Sequence, residues 1–323
     1  MAELTRRRFL ADAASCAGHL SLAMAVLPRL GRAAWTRPRA GRVVAEEKFG
    51  RLEELAPGVW AMVSTPLTGD YTTLSNGAII AGRSGVLVIE GFAQPAGAAW
   101  VAKQAKTLAG RWPTHALVTH YHSDHANGLA GYAGEDGTPS IRVTTRTAEL
   151  VGERNRPADE SRAKLLAGAV AIAPSAATTL DLGGRTVTIH PASGHTPSDV
   201  WVSLDEPAIV FGGDLLWNGM FPNYVDATPS VLSRAVRGLT GGPGTVYVPG
   251  HGPVAKQADF DRYVAMLDEI ERAARDAHGR GKSAAEGAEG YRLPASLGEW
   301  TLFSERFIPA AFTAWYRELG QPG

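Results

Sequence analysis

A single cysteine, Cys16, is the whole thiol content of the chain. No disulfide forms within one copy, and a metal site built on several thiolates is excluded. Neither sign of charge is in excess, because 32 Lys and Arg balance 32 Asp and Glu over 323 residues. The balance is uneven along the chain. Residues 1–45 hold eight arginines against Glu3 and Asp12, which leaves 24 basic and 30 acidic residues, a net of −6, in the remainder. That remainder has no basic stripe and no nucleic-acid motif, so DNA and RNA are not expected partners. Heptads, short-period repeats and low-complexity tracts are missing too, as is an apolar run long and uninterrupted enough to make a stable membrane anchor. What is there, 45% hydrophobic and 20% charged, suffices for a substantial core.

The arginine excess has a pattern. Arg6-Arg7-Arg8 precedes Phe9-Leu10 and a weakly apolar run, Ala11 to Leu27, interrupted by Asp12 and His19. This resembles a twin-arginine export signal. Small residues at Gly31 and Ala33 allow cleavage before Ala34. The expected organisation is an export signal at residues 1–33, a linker at 34–50 and one catalytic domain at 51–323. The expected location is periplasmic or secreted.

The densest chemistry lies at Thr119-His120-Tyr121-His122-Ser123-Asp124-His125, directly after the apolar run Ala116-Leu117-Val118. Residues two apart on an extended segment point the same way, so His120 and His122 can chelate one ion. Asp124 and His125 follow where the chain turns, placed for a second. Three further candidates each follow a strand-like run: His195 in Gly194-His195-Thr196-Pro197, Asp214 after Gly212-Gly213, and His251 in Gly250-His251-Gly252. Singly, each reads as a cap or a hydrogen-bonding residue. As a set of imidazole and carboxylate donors they suit Zn²⁺ and tolerate Fe or Mn. His19, His115, His190 and His278 lack this setting and read as non-ligands.

The order HxHxDH, GH, GD, GHG over residues 50 to 255 resembles the metallo-β-lactamase-fold hydrolases. The resemblance implies an α/β fold, a four-layer αβ/βα sandwich, holding two divalent ions, Zn²⁺ foremost. It places the first ion on His120, His122 and His195, and the second on Asp124, His125 and His251, with Asp214 bridging. It further implies a bridging hydroxide nucleophile, oriented by Asp124 as the catalytic residue, that attacks the carbonyl of a small-molecule acyl substrate: a β-lactam, ester or lactone. A glyoxalase II-type thioesterase is the nearest alternative. A mononuclear iron persulfide dioxygenase and a non-catalytic metal-binding protein are alternatives from other classes.

The local pattern agrees with that fold class. Short β-branched runs at Val59–Val63, Asn76–Ile80 and Gly85–Ile89 precede a helix at Pro95–Leu108. A second set, Thr186–Ile189, Val200–Leu204, Ala208–Phe211 and Thr245–Val248, comes with helices at Ser230–Leu239 and Ala258–His278. The apolar stripe in Thr301–Leu319 reads as a helix on the core. Candidate substrate contacts are Tyr71, on the loop Thr65–Thr73, and Trp217, Asn218, Phe221 and Tyr224, on the loop after Asp214, where the aromatics would form an apolar wall.

Overall fold

The computed structural model describes residues 41–320 apart from residues 135, 240, 241 and 243. The expected export signal at residues 1–33 lies outside the described residues, as does His19. Two sheets face each other. The first has eight strands in sequential order: β1 (Arg42–Glu47), β2 (Gly50–Ala56), β3 (Val59–Ser64), β4 (Gly77–Ala81), β5 (Val86–Ile89), β6 (His115–Leu117), β7 (Ser140–Thr144) and β8 (Val170–Ile172). The second has five: β9 (Thr178–Asp181), β10 (Thr186–Ala192), β11 (Asp199–Leu204), β12 (Ile209–Trp217) and β13 (Val246–His251), ordered β13-β12-β11-β10-β9.

Strand alternation explains why both faces of the first sheet are covered. In β3, Val59, Ala61 and Val63 enter the core between the sheets, whereas Trp60 and Met62 join the core on the outer face. Leu87 and Ile89 of β5 likewise point inward while Val86 and Val88 point outward. Burying each such Val, Leu or Ile is worth about 1.5–3 kcal/mol. Helix α1 (Pro95–Ala109) lays Val101, Ala102 and Ala105 on the outer face, and its crossover lets β5 and β6 run parallel. Pro95 starts α1 and Gly110, with φ of 69°, ends it. The second sheet is covered by α5 (Pro229–Gly238), α6 (Gln257–Gly279) and α8 (Phe307–Leu319), the last seating Phe312, Trp315 and Tyr316 in that core. Between them in chain order come α2 (Ser123–Ala126), α3 (Thr145–Arg154), α4 (Glu160–Ala167) and α7 (Ala284–Ala288). The result is the expected four-layer sandwich. Among the described residues no helix is long and apolar enough to cross a membrane.

One boundary needs correction. The linker expected at 34–50 contains β1, which pairs antiparallel with β2, so Arg42–Glu47 is part of the sheet. Charged residues hide both strands from a periodicity reading. β1 is a polar edge strand, and β2 buries Arg51 and Glu53 as a pair 2.7 Å apart.

Candidate metal centre

The carboxyl ends of β6, β10, β12 and β13 converge at one edge of the sandwich. The loop after β6 delivers His120 and His122, and α2 turns the chain so that Asp124 and His125 face the same point. His195 stands between β10 and β11, Asp214 within β12, and His251 at the end of β13. All seven expected donors come together in two groups: His120, His122, His195 and Asp214; and Asp124, His125 and His251.

In the first group, His122 Nδ1 lies 3.0 Å from both His120 Nε2 and His195 Nε2, and Asp214 Oδ2 is 3.3 Å from His195 Nε2. In the second, Asp124 Oδ2 is 3.3 Å from His251 Nε2 and 3.6 Å from His125 Nε2. Asp214 Oδ1 lies 3.2 Å from His125 Nε2 and 3.3 Å from His251 Nε2. One oxygen of Asp214 thus serves each group. A tetrahedral ion with ligands at 2.0–2.1 Å has donors about 3.3 Å apart, which is the spacing seen here. His125 Nε2 and Asp214 Oδ1 are buried without a hydrogen-bond partner, so they aim at a shared point rather than at each other. The residues fit a pair of divalent ions.

Close approach shapes the surroundings. A Cβ at Gly250 would sit 2.0 Å from Asp214 Oδ1, and Gly252 has φ of 93° with Asn218 O 2.0 Å from its would-be Cβ. Asn76 ties the His251 loop to the first sheet, its Nδ2 donating to Pro249 O at 2.9 Å and Gly252 O at 2.7 Å. Ser75 Oγ donates to the Asp124 carbonyl at 2.7 Å.

The electrostatics divide the groups. Burial, then neighbouring imidazoles, hold His120 well below the ordinary histidine value; burial also brings His195 down to about 3. Burial opposes charge on His125 and His251 too, but Asp214 and the carboxylates around it win, lifting His125 well above the ordinary value and His251 to about 9. The same pairs hold Asp124 at about 2 and Asp214 well below the usual carboxylate range, although burial pushes both up.

Several supporting residues escaped the sequence reading. Glu90, buried after β5 with φ of 81°, accepts from Thr119 Oγ1 at 2.6 Å and lies 3.0 Å from His125 Nδ1. Asp199 accepts the backbone N–H groups of His195 and Thr196, both at 3.0 Å, and burial raises its carboxyl to about 7. Asp226 reaches His122 Nε2 at 3.0 Å. Glu90 and Asp226 are lone acids in loops, with no local spacing to connect them with histidines 35 and 104 positions away, whereas Asp199 lies four positions after His195, a local signal that the reading passed over.

The expected substrate wall is corrected by the structure. Phe221 and Tyr224 are sealed in the core of the second sheet. Trp217 is buried as well, its ring 4.0 Å from that of His251 and its Nε1 donating to Asp214 O at 3.2 Å. Asn218 Nδ2 donates to Pro253 O and its Oδ1 accepts from Arg262. These residues back the ligands rather than face a substrate, because β12 runs on as a strand through Trp217. Tyr71 is half-buried beside an open cavity of about 600 Å³ with Lys48, Thr68, Asp70 and Gln94. His190 stacks on Trp201 and His278 contacts Gly320 O, in keeping with non-ligand roles.

Residues 72–267 match the family model of the metallo-beta-lactamase superfamily. The chain belongs to this superfamily. A curated relative, hydroxyacylglutathione hydrolase from Acidiphilium cryptum (strain JF-5), is 29% identical over 176 residues, spanning 54% of this chain and 64% of that protein. Among solved structures, a metallo-beta-lactamase from Pontibacter korlensis matches with a TM-score of 0.54 at 22% identity, covering 67% of this chain and 98% of that one. The inverting sec-alkylsulfatase from Pseudomonas sp. matches with a TM-score of 0.66 at 14% identity, covering 95% of this chain and 62% of that one. The metallo-beta-lactamase fold therefore accounts for the sandwich, and the seven donors stand at its metal-site edge.

Proposed function

We propose that this member of the superfamily is a two-ion hydrolase acting on acyl compounds with a good leaving group: β-lactams, activated esters or lactones. The observation that carries the reading is Asp214, whose two carboxylate oxygens face the two donor groups separately. His120, His122 and His195 would hold the first ion, and Asp124, His125 and His251 the second. When bound, such a pair of divalent ions lowers the pKa of a shared water towards about 7 and polarises a carbonyl. Asp124 is the carboxylate placed to take the proton of the attacking water, since its side chain is 22% exposed against 3% for Asp214.

A thioester is the second reading, favoured by the relative whose name is hydroxyacylglutathione hydrolase. Tyr71 remains a candidate substrate contact, on an open cavity whose lining includes none of the seven donors. Arg154, brought to the rim by α3, is already matched by Asp226 at 3.1 Å, which suits an uncharged acyl group better than a phosphodiester.

Metal analysis after metal-replete expression, joined to a panel of nitrocefin, p-nitrophenyl acetate, a homoserine lactone, S-lactoylglutathione and bis-p-nitrophenyl phosphate, tests the reading. Close to two equivalents per chain and oxygen-independent turnover of an acyl substrate are expected. Fewer than about 1.5 equivalents would count against two ions. Oxygen consumption with mainly iron bound would favour an oxygenase, and best turnover of the phosphodiester would overturn the acyl assignment. Export through Arg6-Arg7 is part of the same proposal. Changing both to Lys should retain the precursor in the cytoplasm, and unchanged export would count against it.

A further inference from the structure

The three imidazoles of the first group do not present the same nitrogen. His120 and His195 turn Nε2 inward, whereas His122 turns Nδ1 inward. A neutral imidazole has one N–H and one lone pair, so each ring can be a ligand only if its proton is kept on the outward nitrogen. For His120 the outward Nδ1 lies 3.0 Å from Thr119 Oγ1, whose own hydrogen goes to Glu90 Oε1. His195 Nδ1 is buried without a hydrogen-bond partner. For His122 the outward Nε2 meets a carboxylate directly, Asp226 Oδ2 at 3.0 Å. His122 is also the most exposed of the three, with 15% of its side chain open against 1% for His120 and His195, so packing restrains its ring least.

We propose that Asp226 is a positioning residue, which keeps the His122 proton on Nε2 and so turns the Nδ1 lone pair to the first ion, and that Tyr121 and Arg154 are the clamp holding Asp226. The inference rests on reading the site as a metal centre and deepens that reading. The Tyr121 hydroxyl donates to Asp226 Oδ2. Arg154 donates to the Tyr121 oxygen at 2.8 Å and to Asp226 Oδ1 at 3.1 Å, with its guanidinium 5.2 Å from the Tyr121 ring centre. Asn155, just past α3, donates to the Tyr121 carbonyl at 2.8 Å, so the end of α3 also anchors the backbone between the two histidines. Both carboxylate oxygens of Asp226 are thus committed, and the one facing His122 has little freedom to turn away. Without Asp226 the ring could flip or carry its proton on Nδ1, where it would point at two other imidazole nitrogens. An anionic partner also makes the ligating nitrogen more basic.

The test is zinc binding to the chain by competition with a fluorescent chelator, with no substrate present, together with ¹⁵N NMR of the histidine side chains in the zinc-loaded protein. Asp226→Ala should weaken the first ion about 10–100-fold and the second much less. Asp226→Asn, which keeps an acceptor but loses the charge, should fall between. In a His122→Ala background, Asp226→Ala should cause no further loss. The wild-type spectrum should show His122 protonated on Nε2 and metal-bound through Nδ1. Unchanged zinc affinity in Asp226→Ala overturns the inference, as does equal weakening of both ions, which would assign Asp226 a general structural role. If the alanine variant does not fold, the wild-type spectrum decides, and a proton on Nδ1 of zinc-loaded His122 overturns it. Wild-type protein that takes up no zinc sinks the functional reading itself, a separate result.

Discussion

The two halves of the metal centre share Asp214 but rest on opposite electrostatics. In the first, burial and the neighbouring imidazoles hold His120 well below the ordinary histidine value and bring His195 to about 3, which favours the neutral rings whose lone pairs can take an ion. In the second, burial is outweighed by the carboxylates of Asp214, Glu90 and Asp124, which lift His125 well above the ordinary value, and by those of Asp214 and Asp124, which lift His251 to about 9. One half favours neutral imidazoles; the other favours protonated ones, with whose protons a metal ion competes. Ligand identity alone does not separate these cases, since both halves contain histidines. The distribution of acids around them does.

The largest effect should come from the residue that both halves use. Asp214→Asn should lower kcat/KM by about a thousandfold or more, because metal polarisation is worth several kcal/mol, and metal content should fall at both positions. A variant that keeps one ion at wild-type affinity would show that Asp214 is not shared.

The second prediction separates the halves by pH. Each displaced proton makes metal affinity rise about tenfold per pH unit below the pKa of the group involved. His251, at about 9, should therefore give the second ion a rise of about tenfold per unit between pH 6 and 8, with His125, raised in the same direction, steepening it further, while His195, at about 3, adds nothing to the first. Chelator competition at pH 6, 7 and 8 reads this, and equal slopes for the two ions would break the comparison. A related sign follows for the metal-free protein. The folded-state pKa of His251, about 9, lies above the ordinary 6.5. Its stabilising contribution is complete below about pH 6.5 and is lost as pH rises through 9, so the Tm of chelator-treated protein should fall across that window.

The smallest effect on turnover belongs to the residues behind the second half. Phe221→Ala should cost about 3–5 kcal/mol of stability, as for a large aromatic removed from a core, while leaving KM nearly unchanged at a temperature where the variant is folded. A several-fold rise in KM without loss of stability would return Phe221 to the substrate pocket.

The donor set and the sandwich were legible in the sequence because both depend on short-range rules. Alternation tells which side chains share a face, so His120 pairs with His122, and Val59, Ala61 and Val63 separate from Trp60 and Met62. Glycine beside a histidine or aspartate marks the middle of β12 and the end of β13, where backbone must pass close to a ligand. These signals survive translation along the chain, since each lies within a few residues. β1 and β2 did not show themselves, because a polar edge and a buried Arg51–Glu53 pair erase the hydrophobic period.

Tertiary structure alone decided what stands behind the ligands and what faces the solvent. Asp226 meets His122 across 104 positions, and Asn76 meets the His251 loop across more than 170, distances over which local pattern carries no information. The aromatic loop after Asp214 reads equally as a pocket wall or a core, since hydrophobicity drives burial without saying against what. Packing under α6 and α8 resolved Phe221 and Tyr224 into the core. The protonation of the two halves was likewise settled in three dimensions, because a pKa depends on burial and on the charges within a few ångströms, whichever part of the chain supplies them.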